Sequence, residues 1–148
     1  MKSLHNPGDR AELIRRLKTV SPEAKGQFGT LTAPRMITHL IDSSRMSIGE
    51  IEGLGTGLPV LSWPPFKQLI LYVFPIPKAK AKTAPQLLAT SPTEMAKDVD
   101  RLCGLVERFA RPGTTFAATH PAFGSMTRES WGVLAHKHID HHLRQFGA

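Results

Sequence analysis

Cysteine is nearly absent: Cys103 is the only one in 148 residues. A single thiol excludes an internal disulfide framework and any zinc site built from several cysteines. Long apolar runs are missing as well. The longest, Leu69 to Ile76, covers eight residues and includes Pro75, far short of the roughly 18 that a membrane helix needs. The opening residues, Met1 to Asp9, lack the apolar stretch of a secretory signal, so a cytoplasmic location without a membrane partner is expected. Acidic side chains are absent from Gly53 to Thr93, where Lys67, Lys78, Lys80 and Lys82 lie. The last three stand between prolines with no interleaved aromatics, which reads as a solvated connector rather than a nucleic-acid interface.

What is present fits an ordinary globular chain. Hydrophobic residues make up 41% and charged residues 21%, so one domain over residues 1–148 with its own core is expected. Nineteen Lys and Arg against twelve Asp and Glu give a formal charge of +7, which favours anionic partners without specifying a fold. No internal repeat is visible.

Helical start signals recur along the chain. Asp9 with Glu12 three residues on resembles a capping box and predicts a helix over about 9–19, with Leu13, Ile14 and Leu17 as its stripe. Thr32 is placed to cap a second helix carrying Met36, Ile37, Leu40, Ile41 and Ile48 and stopping near Gly49. The glycines of 53–57 read as a flexible connector, since no lysine follows them as in a phosphate loop. Ser62 to Phe74 is apolar on every side, and its length favours helix over strand. Ser91-Pro92-Thr93-Glu94 predicts a helix start with Ser91 as cap; Met95, Val99, Leu102, Val106 and Phe109 follow at helical spacing until Arg111. Cys103 lies beside that stripe and reads as packing rather than nucleophile. Thr127 caps a last helix to about Phe146. No strand is predicted, so the fold class is an all-α bundle of four or five helices.

Four of the seven histidines crowd the last helix: His136, His138, His141 and His142. At about 100° per residue, with His138 set to zero, Trp131, Ala135, Ile139 and Phe146 centre the apolar face near +60°. His142 falls at about +40°, inside that face, whereas His141 at about −60° is on the flank and His136 at about 160° turns away. His138 and His142, one turn apart, can reach one ion. Neutral imidazole suits zinc, and also nickel, copper or iron. Two imidazoles hold an ion poorly, so a third must come from elsewhere, and His39 in the middle of the second helix, next to Ser43, is the natural candidate. Gln145 shares the face of His142; it either hydrogen-bonds a ligand or water, or caps carbonyls at the helix end. His120 precedes Pro121 in a loop and is expected to order that loop. Asp140 faces away, and no catalytic triad or carboxylate pair can be argued from spacing, so no general base is assigned.

His138-Ile139-Asp140-His141-His142-Leu143-Arg144-Gln145 resembles the H-x-x-H-H-x-x-Q signature that closes the last helix of DinB/YfiT-like proteins. Met36-Ile37-Thr38-His39 resembles the earlier helix of that superfamily, and the similarity runs from about residue 9 to the end. The resemblance implies an up-down-down-up four-helix bundle, a homodimer, and a divalent metal held by His39, His138 and His142. Zinc is the first expectation, with nickel, iron and manganese as alternatives. Gln145, His141 and His120 are then candidates to support the ligands or line the pocket. Relatives of this kind include thiol-dependent transferases and an isomerase, so the implied partner is a small molecule or low-molecular-weight thiol and the implied activity a transferase, isomerase or hydrolase. The glycine- and proline-rich stretch 53–90 departs from the pattern. From another class comes the reading of a non-catalytic basic helical module that binds an anionic or protein partner, its histidines structural.

Overall fold

The computed structural model describes residues 1–53, 59–74 and 85–148. Most of the glycine connector and the lysine-bearing loop with Lys78, Lys80 and Lys82 lie outside the described residues. The chain is mostly helical: α1 (Pro7–Leu17), α2 (Ala33–Ser47), α3 (Pro59–Ser62), α4 (Pro64–Gln68), α5 (Met95–Arg108) and α6 (Arg128–Gln145).

Helix α1 begins before the position the sequence favoured. Asn6 is the cap, its side-chain oxygen accepting from the amides of Gly8 (2.9 Å) and Asp9 (3.1 Å), and Pro7 enters the first turn, where a missing N–H costs nothing. Asp9 instead accepts from the amide of Ser3 at 3.0 Å. Helix α2 starts as expected, with the Thr32 hydroxyl accepting from the amide of Arg35 at 3.4 Å. Thr127 likewise caps α6.

The start of α5 is a correction. Ser91 does not cap it; Glu94 occupies the cap position without a side-chain hydrogen bond. The buried carboxylate of Asp98 takes the amide of Thr93 at 2.8 Å and its hydroxyl at 2.9 Å. That pair of bonds holds 91–94 outside the helix, so the local capping pattern loses to a bond from one turn further on. The far end also comes early, at Arg108 rather than Arg111, with Phe109 as its C-cap. Cys103 is buried and burial pushes its thiol pKa up, consistent with packing rather than nucleophilic use.

The apolar stretch near 59–74 is helical but broken at Trp63, which is extended because Pro64 follows it. Leu69–Val73 closes it as a π-helical turn whose Leu71 is buried. The ammonium of Lys137, on α6, donates to the carbonyls of Ile70 (2.7 Å), Leu71 (3.1 Å) and Phe74 (2.5 Å), satisfying the turn's open end. Two short strands that the sequence did not suggest, β1 (Thr119–His120) and β2 (Gly124–Ser125), pair antiparallel.

Helix α1 packs against α5 and α6, and α2 against the same two helices. Leu13 and Leu17 of α1, Met36, Ile37, Leu40 and Ile41 of α2, Leu102 and Val106 of α5, and Trp131, Ile139 and Leu143 of α6 form the shared core. Gly132 lets the N-terminal segment cross α6 closely: its carbonyl accepts from the amide of Leu4 at 3.0 Å, and a Cβ there would collide with His5 and Ser3. Among the described residues, no helix is long and apolar enough to cross a membrane.

Candidate metal site

Helices α2 and α6 bring His39, His138 and His142 together. One nitrogen from each lies within 4.8 Å of the other two. The ring centroids form a nearly equilateral triangle, 5.0 Å for His39–His138, 5.0 Å for His39–His142 and 4.9 Å for His138–His142. The Nε2 atoms of His39 and His138 are 3.1 Å apart. Two imidazole nitrogens sharing a tetrahedral ion at about 2.0–2.1 Å would stand about 3.3 Å apart, close to the separation of this pair, which is also that of a hydrogen bond between the two rings.

Each ring is held from behind by its other nitrogen. Nδ1 of His39 lies 3.0 Å from the carbonyl of Leu87; a carbonyl only accepts, so Nδ1 carries the proton and Nε2 keeps its lone pair. That carbonyl belongs to the 3₁₀ turn Pro85–Leu88, which is fixed on α2 by Arg35. The guanidinium of Arg35 donates to Leu88 O at 2.7 Å and Thr90 O at 2.9 Å. Asp42, one turn from His39, is buried and spends both oxygens on the amide and hydroxyl of Thr90 (2.9 and 2.5 Å). It braces the turn rather than adding a ligand.

Nδ1 of His142 lies 2.7 Å from Oε1 of Gln145. The orientation of that amide is settled because its Nε2 donates to the carbonyl of Phe28 at 2.5 Å, leaving the oxygen to accept from the imidazole. Nε2 of His142 is therefore the free donor atom. His138 has its Nδ1 3.0 Å from the hydroxyl of Ser43, a group that donates or accepts and so accommodates either tautomer.

The site favours neutral rings. Burial pushes the pKa of His142 down to about 4, helped by the neighbouring His39 and opposed by Gln145. Burial lowers His39 too, against the Leu87 carbonyl and Asp42, and His138 falls well below the ordinary histidine range through burial and then the other two rings. At neutral pH all three are in the unprotonated form that binds metals.

Other sequence expectations fare differently. His120 orders its loop: Nδ1 accepts from the amides of Ala122 (3.0 Å) and Phe123 (3.3 Å). His141 is half-buried with its ring against Phe28 (5.4 Å) and His142 (5.3 Å). Gln145 does not cap the helix end; it supports His142. Asp140 points to Arg16 (2.6 Å) and Arg144 (2.6 Å), away from the cluster as expected. His136 is the correction. Expected to turn outward, it is only 3% exposed, on the side of α6 that meets α1 and within electrostatic reach of Asp9, Glu12 and Lys2. The missing factor was a second buried face: Gly132 and Leu143, at about 120° and 140° on the same helical arithmetic, widen the apolar arc toward α1. Reasoning from sequence named Gln145 as a candidate support but did not assign Ser43 or the two carbonyls. Ser43, a turn after His39, could have been found by spacing, but the carbonyls of Leu87 and Phe28 leave no mark in side-chain identity.

The chain belongs to the family described as "Protein of unknown function (DUF1569)", whose model matches residues 2–148. No curated protein and no solved structure matches it.

Proposed function

We propose that this member of that family binds a divalent metal ion, zinc first, through Nε2 of His39, His138 and His142. The observation that carries the reading is the convergence of three neutral imidazoles, withdrawn from water to different depths, whose rear nitrogens all have protein partners. Nε2 of His39 and of His142 keeps its lone pair, and the Ser43 hydroxyl can accept from Nδ1 of His138 and so free the Nε2 of that ring for an ion. Three nitrogen ligands leave a tetrahedral ion one open position, the arrangement of catalytic rather than structural zinc sites. When bound, such an ion lowers the pKa of a coordinated water or thiol toward neutrality. Around it, the chain's own part is to hold the three rings rigid through Leu87, Ser43 and Gln145 and to keep them unprotonated by burial.

The same reading takes α1, α2, α5 and α6 as an up-down-down-up four-helix bundle of DinB/YfiT-like kind. The supports are the pairwise packing of α1 and α2 each against both α5 and α6, and the arrival of ligands from the second and last long helices. With it come a small-molecule substrate, a low-molecular-weight thiol being one candidate, and transferase, isomerase or hydrolase chemistry. Elemental analysis of untagged protein tests the reading. About one equivalent of metal per chain, lost in His39→Ala and in His142→Ala, is expected. Metal-free protein that takes up none of zinc, nickel, iron or manganese on dialysis would overturn it and favour a basic helical module with structural histidines.

A further inference from the structure

We infer that Gln145 and Gly29 act together as a positioning device for His142, so that a backbone position more than a hundred residues upstream tunes the metal site. The inference rests on the metal-site reading for its affinity arm, but its geometry stands by itself. Gln145 faces two ways. Its amide oxygen takes the Nδ1 proton of His142 at 2.7 Å, and its amide nitrogen donates to Phe28 O at 2.5 Å. Its backbone carbonyl also accepts from the amide of Gln27 at 2.7 Å. The 26–29 loop is thus shaped around this one residue. Gly29 sits at φ +77°, and a Cβ built there would lie 2.6 Å from Nε2 of Gln145.

The consequence is chemical. An imidazole free to choose its tautomer places its proton on Nε2 readily, which blocks that atom as a ligand. Gln145 forbids this for His142, because its amide oxygen can only accept and the Phe28 carbonyl keeps the amide from flipping. Gly29 is what leaves room for the amide. Any side chain there meets both a left-handed backbone and the Gln145 nitrogen. Gln145 is therefore a positioning residue that acts through His142, and Gly29 acts through Gln145. Partners of this kind typically change metal affinity by about 10–100-fold.

The experiment has two independent readouts. Long-range ¹H–¹⁵N spectra of metal-free protein report the tautomer of His142, and zinc titration against a chromophoric chelator reports affinity. Wild type is expected to show the Nδ1–H tautomer. Gln145→Leu should shift His142 toward Nε2–H and weaken zinc binding by about 10–100-fold. Gln145→Glu keeps an acceptor facing Nδ1, so it should retain the wild-type tautomer. Gly29→Ala, which touches no ligand, should move both readouts in the direction of Gln145→Leu but less far. An unchanged tautomer in folded Gln145→Leu, or in Gly29→Ala should the former not fold, overturns the inference. If wild type binds no zinc, the metal reading falls while the tautomer spectra still decide the positioning role.

Discussion

Helix α6 buries histidines against two neighbours and treats them in opposite ways. Toward α2, His138 and His142 have their rear nitrogens bonded to Ser43 and Gln145 and their front nitrogens turned to His39. Toward α1, His136 is buried like His142 and more deeply than the half-buried His138, yet its Nε2 is the one buried side-chain nitrogen or oxygen among the described residues without a hydrogen-bond partner. Residue type and helix are shared, and the deeper burial falls to His136, so none of these marks a candidate ligand. What differs is the company of the second ring nitrogen. A ring whose second nitrogen faces a group that only accepts, as in His39 and His142, offers a fixed lone pair, whereas an unpartnered buried nitrogen is only an imperfectly satisfied polar group.

The sharpest way to break this comparison is to remove one ring from each face. His142→Ala should reduce zinc affinity by more than the roughly 100-fold that outer supports are worth, while His136→Ala should leave the metal content of purified protein unchanged. Equal losses from both would mean that the two faces do not differ as described.

Acid separates the two states of these rings. His142 and His120 are held near a pKa of about 4 by burial, against an unfolded value of about 6.5. The folded protein therefore binds fewer protons than the unfolded chain between those values, and its stability falls there as pH is lowered. With chelator present, urea-unfolding stability should be level above about pH 6.5 and decline steadily toward pH 4. Replacing His120 with Asn should flatten part of that decline. A stability profile that stays level from pH 7 down to 5 would contradict the buried neutral rings.

The smallest expected effect lies on the α1 side. His136→Leu removes an unpartnered buried nitrogen and keeps apolar volume, so it should raise unfolding stability by about 1 kcal/mol. The same substitution at His142 would break a bonded pair and leave Gln145 Oε1 unpartnered, so it should lower stability. Urea denaturation of the two metal-free variants side by side distinguishes these signs.

Much of this site is legible in the sequence. The spacing of His138 and His142 placed both on one face, Thr32 and Thr127 marked the helices that carry the three clustered histidines, and the expected role of His120 in its own loop holds. The losses have physical reasons. Ser91 is a good cap by local rules, but Asp98 reaches back to Thr93 and overrides it. His136 was excluded because one apolar face was assumed for a helix that packs on two neighbours. Gln145 was left between two roles because its bonds run to Phe28, in a loop over a hundred residues away, which no local pattern encodes. Long-range carbonyl partners are where sequence reasoning ends and tertiary structure begins.

The two tryptophans occupy opposite surroundings: Trp131 is 1% exposed and Trp63 is 59% exposed. The molecule therefore contains a pair of optical probes that need no labelling. A water-soluble quencher such as acrylamide will reach the indole of Trp63 and spare that of Trp131, so emission from the interior can be read alone. Because the Trp131 ring lies 5.4 Å from that of His120, its brightness also registers whether that imidazole has gained a charge, giving a fluorescence signal for events in the core next to the histidine cluster.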